Sequence, residues 1–225
     1  MRSSRGYVAG RLRPAVHYAI ISIMKRDIEL LYEIGNFRHM RRMWERFLNP
    51  DFQNNTEHSF RVAWIALVLS SYEKTGDHET ILKMALVHDL PESRCGDVDY
   101  VARQYTKRDE GAAIQDMFAD TAFGTGMIEL FHEYEKRECG EAKIVKDADN
   151  LDVQFELREQ KARGHEIHGI WKESRDELVY SKLFTESAKK MWREIDASNP
   201  FDWHLNSRNR FRGGDWQAAK PQTSL

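Results

Sequence analysis

The chain has 225 residues, 41% hydrophobic and 31% charged, with only 5 prolines and 2 cysteines, a length that suits one domain with a buried core and is short for two. Its net charge of −2 supplies no global field to hold nucleic acid, so stable nucleic-acid binding is not expected. Cys95 and Cys139 make neither a disulfide framework nor a zinc pairing, and a cytoplasmic location is the default.

Helical periodicity dominates. After a flexible extension over residues 1–13, Ile20, Ile21, Met24, Ile28 and Leu31 recur at three- and four-residue steps and predict an amphipathic helix over residues 14–31. The apolar run at residues 18–24 is too brief to cross a bilayer and is followed by Lys25-Arg26-Asp27, so no membrane partner is expected. The basic start lacks the apolar run of a secretory signal. Residues 37–48 are rich in Arg and aromatics, and residues 49–55 read as a loop of Asn, Pro and Asp, with Thr56 the expected N-cap of the next helix. That helix runs to about residue 72. With Val62, Ala63, Ile65, Ala66, Val68 and Leu69 it is apolar over much of its circumference, which predicts a place in the middle of a bundle.

Gly76-Asp77 interrupts the pattern, and residues 79–89 resume it with Ile81, Leu82, Ala85 and Leu86. Pro91 ends or bends this helix, because proline disfavours helical geometry in the residue before it. Further helices are predicted over residues 109–119, 126–137, 141–163 and 174–197, the last with interruptions; the apolar stretch 127–134 is a candidate homodimer contact. Strand-like alternation and internal repeats are missing. The fold class is all-α, a helical bundle over residues 14–198, followed by an extended polar tail over 199–225 in which Phe201, Trp203 and Trp216 could dock.

The chemistry concentrates on His88-Asp89, which close an apolar helix after Met84-Ala85-Leu86-Val87. An unpaired charge at such a place is costly, and coordination of a metal by imidazole and carboxylate relieves it. Successive helical residues diverge by about 100°, so a terminus distorted by Pro91 helps both side chains converge. His58 lies one turn into the preceding apolar helix, and Asp149 lies in Lys146-Asp147-Ala148-Asp149-Asn150-Leu151. Four ligand-type groups from three helices are a usual way to build a metal site inside a bundle. Two imidazoles and two carboxylates suit a divalent ion: Mn, Co, Fe or Zn, with Mg also admissible. Taken alone, a histidine on an apolar helix is more often a satisfied core residue than a ligand, and Asp147 rivals Asp149 for the last place. His165 and His168 stand three apart with no third ligand nearby and read as surface residues. Lys107-Arg108 reads as a solvated charge pair, with a second phosphate contact as the rival reading.

The order His58 … His88-Asp89 … Asp149 resembles the H…HD…D signature of the HD superfamily. The blocks at residues 57–63 (EHSFRVA), 85–93 (ALVHDLPES), 96–98 (GDV) and 141–146 (EAKIVK) resemble the HD-domain 5′-deoxynucleotidases, over roughly residues 38–160. The resemblance implies an HD-domain bundle with its metal site between central helices. Its register favours Asp149, leaving Asp147 facing solvent or supporting a ligand. It also implies hydrolysis of deoxynucleoside 5′-monophosphates by a water that the metal activates, with a small nucleotide as partner. Glu92 takes the place of the catalytic carboxylate that activates or orients the water; a helix-cap glutamate is the competing reading. Asp97 takes the place of a contact to the deoxyribose 3′-hydroxyl, although an Asp after Gly is also an ordinary turn residue.

Residues 38–44 resemble an Arg-and-Trp element in which guanidinium grips phosphate by two parallel hydrogen bonds and Trp packs near the sugar C2′, disfavouring ribonucleotides. Arg41 with Trp44 fits one form of that element and Arg42 is the rival; a basic solvated face with one core Trp is the alternative. Two other functions compete. A dNTP triphosphohydrolase or pyrophosphohydrolase on the same fold needs more basic residues around the site, and a non-catalytic nucleotide-binding domain has no need of Glu92.

Overall fold

Asn54, rather than Thr56, caps the helix that carries His58. Its side chain accepts from the backbone N–H groups of Thr56 and Glu57, and the Glu57 carboxylate reaches back to the Asn54 N–H. This reciprocal box satisfies donors that the first turn would leave orphaned, an effect of about 1 kcal/mol. Helix α2 therefore begins at Asn55 and ends at Glu73.

The structure is a computed structural model that describes residues 14–206, with side chains from Met24 to His204. The extension over residues 1–13 and Trp216 lie outside the described residues. Before α2 come α1 (Pro14–Asn36) and two 3-10 turns, Phe37–His39 and Met43–Arg46. After it come α3 (His78–Val87), α4 (Glu92–Cys95), a 3-10 turn at Ala102–Gln104, α5 (Glu110–Phe118), α6 (Gly124–Lys136) and α7 (Gly140–Ala162). The chain continues through α8 (Ile167–Leu178), a 3-10 turn at Tyr180–Lys182, α9 (Glu186–Ala197) and α10 (Asp202–Asn206). Among the described residues the fold is all-α, with only a lone antiparallel bridge between Arg41 and Asn54. No helix among them is long and apolar enough to cross a membrane.

Two apolar clusters meet at α3. One gathers Val62, Ile65 and Leu69 of α2 with Met84 of α3, Val145 and Leu151 of α7, and Trp192 of α9. The other gathers Leu30 and Phe37 with Val87, Leu90, Ile114, Met117 and Phe131. Each fully buried aliphatic contributes roughly 1.5–3 kcal/mol, so both ends of α3 are firmly seated. The C-terminal end of α3, where His88 follows Val87, is thus fixed where the two clusters adjoin.

Several expectations need correction. Helix α2 is not enclosed on all sides: Phe60, Trp64 and Val68, spaced four apart, are exposed. Among the described side chains of α1, from Met24 onward, the buried one is Leu30, while Met24, Ile28 and Leu31 face outward; Arg26, Asp27 and Glu33 add bonds to Met117, Ala122 and Arg94, and Ile20 and Ile21 lie outside the described side chains. The candidate dimer stretch in α6 turns Phe131 and Tyr134 into the core and keeps Met127, Ile128 and Leu130 partly exposed, which leaves the expectation of a homodimer contact as it was. Helix α8 starts at Ile167, well before residue 174, after Gly164 breaks α7 with φ +98°. The beginning of the tail is the helical turn α10 rather than an extended segment.

Candidate active site

Helix α3 ends at Val87, and His88 keeps helical angles as its C-cap. Residues 88–91 then turn, and Pro91 opens α4, whose first residue is Glu92. This break lets two adjacent side chains aim at one point. Nε2 of His88 lies 3.3 Å from Nε2 of His58 and 3.4 Å from Oδ2 of Asp89. Nε2 of His58 lies 3.3 Å from both Asp89 Oδ2 and Asp149 Oδ1. One ligand-type atom from each of His58, His88, Asp89 and Asp149 falls within 4.8 Å of all the others.

The hydrogen bonds behind these rings fix what the four atoms offer. Nδ1 of His88 lies 2.8 Å from the carbonyl oxygen of Ala85, which can only accept, so Nδ1 carries the proton and Nε2 presents a lone pair. Nδ1 of His58 lies 2.5 Å from Oδ2 of Asp152. Asp152 is fully buried and its carboxyl is held below the usual range: burial opposes this, but His58 and Arg61 outweigh it. Arg61 bonds Asp152 through Nε and also reaches Glu156 and Glu159. Two imidazole lone pairs and two carboxylate oxygens therefore face one another, an arrangement that repels itself unless a cation sits among them. Ligand atoms roughly 2.1 Å from one ion stand about 3.0–3.4 Å apart, so the spacing and the donor types fit one divalent ion. Where no cation answers this field a proton does, and the His58 imidazole is pushed up to about 10: burial and Arg42 pull down, and the carboxylates of Asp149, Asp152 and Asp89 prevail.

Asp149 and Asp147 have separate tasks. Asp149 is paired with Lys146 at 2.7 Å and is held far below the usual carboxylate range, burial being overcome chiefly by Lys146 and His58. Asp147 neither faces solvent nor supports the cluster. It is buried and accepts from the Phe184 and Thr185 N–H groups and the Thr185 hydroxyl, which ties α7 to the start of α9.

The cluster opens into a cavity of about 470 Å³ whose lining includes Arg42, Trp44, Asp89, Glu92, Asp97 and Asp149. Glu92 is buried, accepts from Asn55 Nδ2 at 2.8 Å and lies 3.2 Å from Arg108 Nη1. Burial and the nearby Asp89 and Asp97 push its carboxyl up to about 9, against Arg42 and Arg108. Arg42 is buried, with Nη1 2.8 Å from Asp89 Oδ2, while its Nε has no hydrogen-bond partner among the described residues. Arg41 points elsewhere: it is exposed, pairs with Glu45 and does not line the cavity. Asp97 accepts from the Met43 N–H at 2.9 Å, a position reached because Gly96 turns the chain at φ +78°, where a side chain is strained. Trp44 meets Trp171 at 5.3 Å and Tyr100 at 6.1 Å between ring centroids.

Other readings are corrected here. Arg108 is not a solvated charge: it is largely buried, bonding Glu92, Glu110 and the Gly96 carbonyl. His168 is buried between Gln154 and Asp196, and His165 bonds the Leu48 carbonyl, so neither is a bare surface residue. Asp152, Asn55, Lys146, Trp171 and Arg175 are parts of the site or its support that the sequence reading missed. For Asp152 the available signal was its place one turn after Asp149, beside the apolar Ala148, Leu151 and Val153.

Comparison with known proteins agrees with this architecture. The chain is 30% identical over 123 residues to the 5′-deoxynucleotidase HDDC2 of Dictyostelium discoideum, covering 50% of this chain and 65% of that protein. It is 31% identical over 109 residues to the 5′-deoxynucleotidase HDDC2 of Danio rerio, covering 46% and 54%. The matches thus span less than two thirds of these relatives' length. Among solved structures, a conserved hypothetical protein from Pyrococcus furiosus superposes with a TM-score of 0.65 at 27% identity, covering 76% of this chain and 99% of that one. A family model for the HD domain matches residues 34–192, which include all four clustered side chains and Glu92. The chain belongs to the HD domain family.

Proposed function

We propose that this protein is a metal-dependent phosphohydrolase that releases phosphate from 2′-deoxynucleoside 5′-monophosphates. The observation that carries the reading is the convergence of His58 Nε2, His88 Nε2, Asp89 and Asp149 within 4.8 Å at the wall of a 470 Å³ cavity, with both Nδ1 atoms already engaged. These four residues hold a divalent ion, which when bound lowers the pKa of water and neutralises phosphate charge. Mn, Co, Fe, Zn and Mg are its candidates. The 5′-deoxynucleotidase relatives support the choice of substrate.

The remaining roles follow from position and chemistry. Glu92 orients the water and, ionised once a bound cation offsets the field of Asp89 and Asp97, takes its proton as a general base, with Asn55 and Arg108 fixing the carboxylate. Arg42 binds the phosphate; its buried Nε makes no hydrogen bond among the described residues, and its planar fork matches phosphate oxygens. This task falls to Arg42 rather than Arg41, which lies outside the cavity. Asp97 accepts from the sugar 3′-hydroxyl, and Trp44 crowds the C2′ position.

A phosphate-release screen of the metal-reconstituted protein against dNMPs, NMPs and dNTPs tests the reading. Release from dNMPs in preference to NMPs is the expected result. Pyrophosphate or tripolyphosphate from dNTPs alone would replace it with a triphosphohydrolase or pyrophosphohydrolase, and binding without turnover of any of them would mark a nucleotide-binding domain.

A further inference from the structure

Helix α8 lies outside every motif of the metal cluster, yet one of its faces lines the same cavity: Trp171, Ser174, Arg175 and Leu178, at positions i, i+3, i+4 and i+7. We propose that this face holds the nucleobase, with Trp171 packed against the plane of the ring and the Arg175 guanidinium donating to a carbonyl oxygen on its edge. The inference rests on the deoxynucleotide reading above.

Two observations carry it. The first is the state of Arg175. It is buried, and its hydrogen bonds go only to neutral groups, from Nε to Gln154 Oε1 at 3.2 Å and from Nη2 to the Asn150 carbonyl at 3.4 Å. No carboxylate lies within ion-pair distance among the described residues, and Nη1 makes no hydrogen bond there. The buried Arg42 and the partly buried Lys146 and Arg108, on or beside the cavity, are engaged with Asp89, Asp149 and Glu92. Arg175 thus brings an open donor and a charge without a counter-ion to the cavity wall, and a ligand oxygen is the acceptor both favour.

The second observation is aromatic. Trp171 is only half buried, and it meets Trp44 at 5.3 Å and Phe47 at 5.8 Å, tilted by 59° and 68°. These rings form an angled wall with indole surface left open to the cavity, and every base has a π-face to lay on it. A cavity of about 470 Å³ also exceeds the needs of a phosphate group alone. The competing occupant for Arg175 is a second phosphate group of a nucleoside triphosphate.

The test compares kcat/KM for dUMP and for 2-deoxyribose 5-phosphate, which lacks the base, in the metal-loaded wild type, Trp171→Ala and Arg175→Met. Loss of a base contact should lower the dUMP-to-sugar-phosphate ratio about tenfold in each variant, mainly through KM. A ratio that falls less than threefold in Trp171→Ala overturns the proposal, and the same result confined to Arg175→Met reassigns that residue to phosphate. Arg175 also lies 5.1 Å over the Trp192 ring, so Arg175→Met could fail to fold; Arg175→Lys then keeps the charge and removes the fork. If the wild type cleaves neither compound, the phosphatase reading fails. Calorimetry with deoxyuridine still decides the α8 proposal: binding that Trp171→Ala abolishes supports it, and equal or absent binding sinks it.

Discussion

Oδ2 of Asp152 lies 2.5 Å from Nδ1 of His58, and the other oxygen of the same carboxylate takes the Nε–H of Arg61. The imidazole is thus locked with Nε2 toward Asp89 and Asp149 by a residue that touches no part of the cavity. Such outer partners raise ligand basicity, and their loss typically weakens metal binding about 10- to 100-fold. Asp152→Asn should therefore raise the metal Kd by at least tenfold in a competition titration with a chelator, at unchanged helical content. An unchanged Kd would mean that Asp152 only anchors Arg61.

Glu92→Gln should keep the metal and lose turnover. A positioned general base contributes about 10²–10⁴ in rate, so phosphate release should fall within that range while metal content, read by atomic emission, stays at the wild-type level. Loss of the metal instead would make Glu92 a ligand.

Trp44→Ala tests the sugar. A bulky apolar neighbour rejects an added hydroxyl by at most about 10². The variant should therefore shrink the dNMP-to-NMP ratio of kcat/KM by roughly tenfold, and a constant ratio would place discrimination elsewhere.

Asp147→Ala should destabilise the fold without touching the chemistry. Three donors on residues 184 and 185 would lose their shared acceptor, which costs about 1–3 kcal/mol for buried groups. Urea unfolding should register that loss, with metal content unchanged per folded molecule. A variant as stable as the parent contradicts the capping role.

His168 supplies a pH dependence away from the metal cluster. Burial holds its imidazole below the ordinary value of 6.5, against the pull of Asp196. The unfolded chain therefore takes up a proton near pH 6.5 that the folded chain accepts only at lower pH. The residue leaves stability unaffected above that window and subtracts from it as pH falls through it. His168→Gln should flatten the decline of the urea midpoint between pH 7 and pH 5, and a decline as steep as the parent's would refute the assignment.

The convergence of His58, His88 and Asp89 is legible in the sequence because each is an ionisable residue at a place where the apolar pattern demands burial, whereas Asp149 is told from Asp147 only by the register of the family resemblance. The exchange between Arg41 and Arg42 is not, because the segment between Met40 and Phe47 follows no helical period; a bridge to Asn54 and a 3-10 turn decide which guanidinium turns inward. Helix α8 is only partly legible for a related reason. Its apolar residues are sparse, and its cavity face mixes Trp171 with Ser174 and Arg175, so hydrophobic periodicity detects only its second half. Likewise Val68 looks like core in the sequence yet lies exposed beside Phe60 and Trp64, since composition alone does not say which side of α2 the neighbours occupy.

Helix α7 carries Asp147, Asp149 and Asp152 within two turns, the first holding α9 and the other two facing the metal cluster or its support. One inserted or deleted residue between Gly140 and Asp147 would rotate all three by about 100°, removing the α9 anchor and the ligand geometry in a single event. The length of this segment is therefore fixed in phase, whereas the loops on either side of α8 can lengthen without disturbing that phase. Among related chains, gaps should gather in those loops and be missing from the first three turns of α7.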